Sequence, residues 1–203
     1  MWGNVALGWS VLGGGVFFLG WWLVLLSAMT SLSLVSLTTS DPGRIRSSDP
    51  DQHLFPGPSV ASEGGESSAQ EQSFTQSCSL CSYAKPERAH HCRICDRCVL
   101  KMDHHCHWVG RCVGAGNYKA YLLTLLYACV SSGAMLLLLW RWSRGERGRA
   151  ALLGWMGWAK MLGLAVDGLV LMFVFCSVSY LLVWHGYLVS GNVTTIEYFK
   201  VRR

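Results

Sequence analysis

Charge is what this chain has least of. Only 14 % of its 203 residues are charged, against about a quarter in an ordinary soluble domain. From Met1 to Ser40 there is no charged side chain at all. A chain this poor in charge cannot cover a water-facing surface, so the usual soluble fold classes are excluded. Basic excess is small too. The formal net charge of +5 is compatible with facing an anionic leaflet but too weak to argue for a nucleic-acid partner. No basic residue precedes the first apolar run, which argues against reading it as a signal peptide.

What is present is hydrophobic: 51 % of the residues, ten tryptophans among them. A helix needs about 20 apolar residues to cross a hydrocarbon core of roughly 30 Å. Residues 1–40 are densest from Val11 to Leu37, ample for one span and tight for two. Residues 118–140 and 168–189 supply a second and a third span. The expected fold class is membrane all-α, with multi-pass transmembrane helices and one small polar module.

The intervening segments are short. Asp41-Pro42-Gly43 ends the first helix, because Pro lacks an amide hydrogen and Gly frees the backbone. Residues 41–77 are otherwise rich in Ser, Gly, Pro, Gln and Glu and read as a flexible linker. A cysteine-rich domain follows at 78–117, a basic loop at 141–167, and a tail at 190–203. Three spans put the cysteine-rich domain and the tail on one side of the bilayer. Lys and Arg number nine from Arg44 to Lys119 and three in the tail, against five in the opposite segment. That imbalance places the domain in the cytosol.

Between Cys78 and Cys112 lie seven cysteines and five histidines. The chain's total of nine cysteines is odd, and Cys78/Cys81, Cys92/Cys95 and Cys95/Cys98 are spaced as CxxC. Both features fit zinc in a reducing compartment rather than a disulfide framework. Tetrahedral zinc takes four Cys or His ligands. Six cysteines with two histidines would fill two sites, and so would seven with one; spacing does not choose. Cys129 and Cys176 lie in apolar runs and read as small core residues.

Cys106 is the best candidate for a spare cysteine. It has no CxxC partner, and it ends the run Asp103-His104-His105-Cys106. The thiolate is the reactive form of cysteine, and a neighbouring imidazolium lowers its pKa from about 8.5 by several units. An aspartate on the other ring nitrogen fixes the tautomer. The run therefore offers Cys106 as nucleophile, His104 as base and Asp103 as orienter. The same residues also fit a solvated loop charge beside a surface histidine.

The string Cys78-x-x-Cys81, Lys85-Pro86-x-Arg88-x-x-His91-Cys92-x-x-Cys95-x-x-Cys98, Asp103-His104-His105-Cys106, Trp108, Cys112-Val113-Gly114 and Asn117 resembles the cysteine-rich domain of DHHC-type protein S-acyltransferases. Asp41-Pro42-Gly43 and Thr194-Thr195-Ile196-Glu197 resemble the family's DPG and TTxE motifs. The resemblance implies transfer of a palmitoyl group from acyl-CoA (palmitoyl-CoA) through an acyl-enzyme on Cys106 to cytosolic juxtamembrane cysteines of proteins. It implies two structural Zn2+ ions, one on Cys78, Cys81, His91 and Cys98, the other on Cys92, Cys95, His105 and Cys112. Trp108 would border the acyl cavity, and Thr194 or Thr195 would steady Asp103. The implied setting is an endomembrane, endoplasmic reticulum or Golgi, with membrane lipid as surroundings and no nucleic-acid partner.

Three departures are visible. His107 stands where the family usually has proline, one span rather than two precedes the domain, and the tail is short. They suggest a shortened isoform or fragment. A catalytically silent zinc scaffold that binds partner proteins at the membrane is the competing expectation.

Overall fold

The computed structural model describes residues 3–45, 77–145 and 157–202, with side chains in the first helix described from Gly20 onward. Its elements are α1 (Gly3–Thr39), three β-hairpins, α2 (Tyr118–Arg144), α3 (Gly157–Ser190) and α4 (Thr195–Val201). The hairpin strands are β1 (Ser77–Cys78), β2 (Tyr83–Ala84), β3 (His90–Cys92), β4 (Arg97–Val99), β5 (His104–Cys106) and β6 (Arg111–Val113). The linker residues 46–76 lie outside the described residues.

Three helical segments, Gly20–Thr39, Tyr118–Arg144 and Gly157–Ser190, are long and apolar enough to cross a membrane. At about 1.5 Å per residue, the 27 residues of α2 reach about 40 Å. Their large side chains point outward: Trp21, Phe173 and Val183 are 68 %, 73 % and 74 % exposed. A helix apolar on all sides is stable only where its surroundings are hydrocarbon. The third helix covers Gly157–Ser190, longer than the apolar run 168–189. Asp167 lies inside this helix and is exposed.

The chain divides into two compact units. The first comprises residues 1–35 and 122–186. Its helices touch through small and polar residues. Thr30 Oγ1 lies 3.3 Å from Ser131 Oγ, and Cys129 Sγ lies 3.2 Å from Ser179 Oγ. A Cβ added at Gly133 would sit 3.1 Å from the Phe175 ring, so α2 and α3 pack closely there.

The second unit comprises residues 36–121 and 187–203. Its three antiparallel hairpins are one motif repeated every fourteen residues, as Cys78, Cys92 and Cys106 head equivalent turns and pair with Tyr83, Arg97 and Arg111. The turn residue with positive φ also recurs: Ser82 at 57°, Asp96 at 49° and Gly110 at 71°. Among the described residues, one buried apolar cluster joins Cys92, Val99, Met102 and Cys112, with Cys95 and Ile196 packed against it. A module of this size gains from another source of cohesion.

The Asp41-Pro42-Gly43 turn is laced onto the hairpins. Asp41 Oδ1 accepts from the amides of Gly43 and Arg44 at 2.9 and 2.8 Å. Leu100 N donates to Gly43 O at 2.8 Å, and Gly116 N to Pro42 O at 3.2 Å. A Cβ at Gly116 would lie 2.2 Å from Asp41 O, so glycine is required there by backbone contact. Asn117 closes the segment: its Oδ1 accepts from Gly114 N at 2.9 Å and its Nδ2 donates to Cys112 O at 3.0 Å.

Candidate active site

Two tetrads of metal-type ligands form between successive hairpins: Cys78, Cys81, His91 and Cys98, and then Cys92, Cys95, His105 and Cys112. In each, one hairpin gives the CxxC turn. The next gives a His and a Cys that face each other across the strands, His91 opposite Cys98 and His105 opposite Cys112. His91 Nδ1 stands 3.7, 3.2 and 3.9 Å from the sulfurs of Cys78, Cys81 and Cys98. His105 Nδ1 stands 3.5, 3.4 and 3.7 Å from those of Cys92, Cys95 and Cys112. Sulfur pairs across each tetrad are 3.8 and 3.7 Å apart. Zinc–sulfur bonds of about 2.3 Å and zinc–nitrogen bonds of about 2.0 Å set at tetrahedral angles give edges of about 3.5–3.8 Å.

The chemistry of the tetrads agrees with their size. Burial and the thiols of Cys78 and Cys81 push Cys98 up to about 12. Three thiolates cannot coexist so close without a cation, and a zinc ion would supply that charge. All described cysteines are free of disulfides. Both clusters could therefore hold metal, and their donors fit zinc.

Strand β5 sorts the remaining groups. Successive side chains of a strand point to opposite faces. His105 turns to the second tetrad, so His104 and Cys106 share the other face. There His104 Nδ1 lies 2.7 Å from Asp103 Oδ2, and the ring is also hydrogen-bonded to Cys106. The ring of Tyr121 meets the His104 ring edge-on, with centroids 5.4 Å apart.

Asp103 is fully buried. Its Oδ1 accepts from Thr195 N and its Oδ2 from Thr195 Oγ1, both at 2.8 Å. Thr194 is the N-cap of α4 and forms a capping box with Glu197. Of the two threonines that the resemblance offered, Thr195 is the one hydrogen-bonded to Asp103.

Electrostatics follow from these contacts. Burial works against a charged His104, but its hydrogen bonds to Asp103 and Cys106 prevail and push it up to about 9. For Cys106 burial also favours the neutral form. The His104 hydrogen bond and the backbone amides of Val109 and Trp108 overcome it and hold the thiol below its usual range. An imidazolium beside a thiolate is the reactive form of such a pair.

The repeat explains why this sulfur is left over. Amides of the residues two and three positions on serve Cys78 (Leu80, Cys81), Cys92 (Ile94, Cys95) and Cys106 (Trp108, Val109) alike. Cys106 sits in a metal-knuckle turn whose second cysteine is Val109. Trp108, at that turn, is 98 % exposed. His107 is exposed and meets the His105 ring edge-on at 5.3 Å between centroids.

The family model for DHHC palmitoyltransferase matches residues 71–202. The chain belongs to that family. A DHHC protein is an acyltransferase in class, and a named relative agrees. Probable protein S-acyltransferase 15 of Arabidopsis thaliana is 36 % identical over 186 residues, which cover 89 % of this chain and 67 % of the relative. The DHHC run thus sets His105, a member of the second tetrad, between the pair of buried Asp103 and half-buried His104 and a cysteine outside both tetrads.

Three neighbours of the site carry little local signal. Val109 is legible only through the fourteen-residue repeat, Arg88 only as one position of the Lys85–Cys98 string, and Tyr121 only as one residue of the apolar run 118–140.

Proposed function

We propose that this protein moves a long-chain acyl group, palmitoyl in class, from acyl-CoA to cysteine thiols of membrane-associated proteins through a thioester on Cys106. In the first step the Cys106 thiolate attacks the acyl carbonyl, and the carbon–sulfur bond to coenzyme A breaks. The imidazolium of His104 gives its proton to the departing thiolate. In the second step neutral His104 takes the proton of the acceptor thiol, whose sulfur attacks the Cys106 thioester. Cys106 leaves as a thiolate beside the renewed imidazolium. Asp103 holds the ring in register and balances its charge throughout.

In this reading the tetrads carry two zinc ions whose chemistry is structural: bound metal ties neighbouring hairpins together. The alternation along β5 carries the proposal, because it separates a ligand histidine from a histidine paired with a free cysteine. The expected setting is an endomembrane, with the hairpin module facing the cytosol.

Labelling with a clickable palmitoyl-CoA tests it. Wild type should acquire hydroxylamine-sensitive label, and Cys106→Ser should not while keeping about two zinc ions per chain. An unlabelled wild type would leave only a membrane scaffold built on metal.

A further inference from the structure

We propose that Arg88 is a positioning residue for the transfer reaction, acting on Asp103 through Glu197 and the first turn of α4. The inference rests on the acyl-transfer reading above.

Helix α4 has seven residues, too few to be stable alone. Yet its first turn supplies both Thr195 donors to Asp103, so something must fix its place and rotation. Ile196 packs against the buried cluster, an apolar contact that carries little direction. The directional hold comes from Arg88. Its Nε donates to Glu197 Oε1 at 2.5 Å and its Nη2 to Glu197 Oε2 at 2.7 Å. That bidentate geometry fixes a carboxylate in plane.

The same guanidinium grips the connector before α4. Nη2 donates to Asn192 O at 2.8 Å, and Nη1 reaches Asn192 Oδ1 at 3.4 Å. Glu197 passes the constraint on, since its Oε2 accepts from Thr194 N at 2.8 Å and Thr194 Oγ1 accepts from Glu197 N at 3.3 Å. Thr195 is the next residue. Arg88 itself adopts φ of 63°, a region that non-glycine residues avoid and that persists where surroundings enforce it. Glu87, Ala89 and His90 have no such contact with α4 among the described hydrogen bonds.

The test uses the full-length, zinc-loaded protein in detergent and measures self-acylation over a range of palmitoyl-CoA concentrations. Arg88→Gln should lower the maximal rate about tenfold, with KM within about twofold and zinc unchanged. Arg88→Lys, with one ammonium in place of a planar fork, should fall between. Arg88→Gln combined with Thr195→Val should lose less than the product of the two single losses, because both act on one aspartate.

Glu197→Gln keeps an acceptor for the capping box and loses the ion pair, so it should reproduce Arg88→Gln. Lys101→Met, which removes only a contact to Asn192, should match wild type. Wild-type rates in Arg88→Gln, or losses that multiply with Thr195→Val, would overturn the proposal. So would metal loss in both Arg88→Gln and Glu197→Gln, which would make the clamp a folding contact. If wild type itself takes no label, the acyl-transfer reading fails and takes this inference with it.

Discussion

Thr195 donates two hydrogen bonds to Asp103, one from its amide and one from its hydroxyl, across a sequence separation of 92 residues. Each lies at 2.8 Å, and the carboxylate they hold is fully buried. A buried carboxylate that loses a donor is costly, since its desolvation is then uncompensated. The pairing makes the C-terminal segment part of the site.

Thr195→Val removes the hydroxyl and spares the amide. A lost charge-assisted hydrogen bond of about 1.5–3 kcal/mol predicts self-acylation slowed by about one to two orders of magnitude. Thr195→Ser, which keeps the donor, should remain within a few-fold of wild type. Initial labelling rates on zinc-loaded protein give the comparison; equal rates for Val and Ser would rule out the hydroxyl's part.

Val109→Cys restores the missing half of the third knuckle. The new thiol would lie beside Cys106 as Cys81 lies beside Cys78, ready to share a metal ion or form a disulfide. Loss of most labelling is expected, with partial recovery after reductant and chelator if the sulfur is captured. Full activity in untreated Val109→Cys would mean the third turn does not hold knuckle geometry.

The pH dependence has a defined sign. His104 is held up to about 9 from an ordinary 6.5. A raised folded-state value gives stability that is complete below the unfolded value and lost as pH climbs through the folded one. The His104 contribution should thus be whole below about 6.5 and gone above about 9. Labelling should fall over the alkaline side of that window as the proton for the leaving thiolate disappears. Unfolding temperature should decline over the same range, and less so in His104→Gln. A rate that climbs through pH 9, as for an unassisted thiol, would exclude the ion pair.

Gly116→Ala tests the lacing of the Asp41-Pro42-Gly43 turn. Its Cβ would stand 2.2 Å from Asp41 O, and backbone cannot yield as a side chain can. Overpacking of this kind costs about 1–3 kcal/mol. A clear fall in unfolding temperature, with earlier release of zinc on heating, is the expected result; an unchanged transition would show that the turn is free to move.

The sequence by itself determined the membrane spans, since an apolar run needs no partner to be unstable in water. The membership of each tetrad came from the family resemblance and not from spacing, but ligand type and CxxC spacing, which are local properties, marked the cysteine-rich segment as metal-binding. Cys106 stood apart for the same reason: it lacks a partner three residues on. Tertiary structure decided the rest. Whether Thr194 or Thr195 reaches Asp103 depends on how α4 is rotated. That rotation is set by an ion pair between Arg88 and Glu197, 109 residues apart. His104 and His105 face opposite sides because of the pleat of β5, which exists only because β6 pairs with it. Contacts between distant residues leave no local trace, so a sequence can supply the right groups without saying which of them meet.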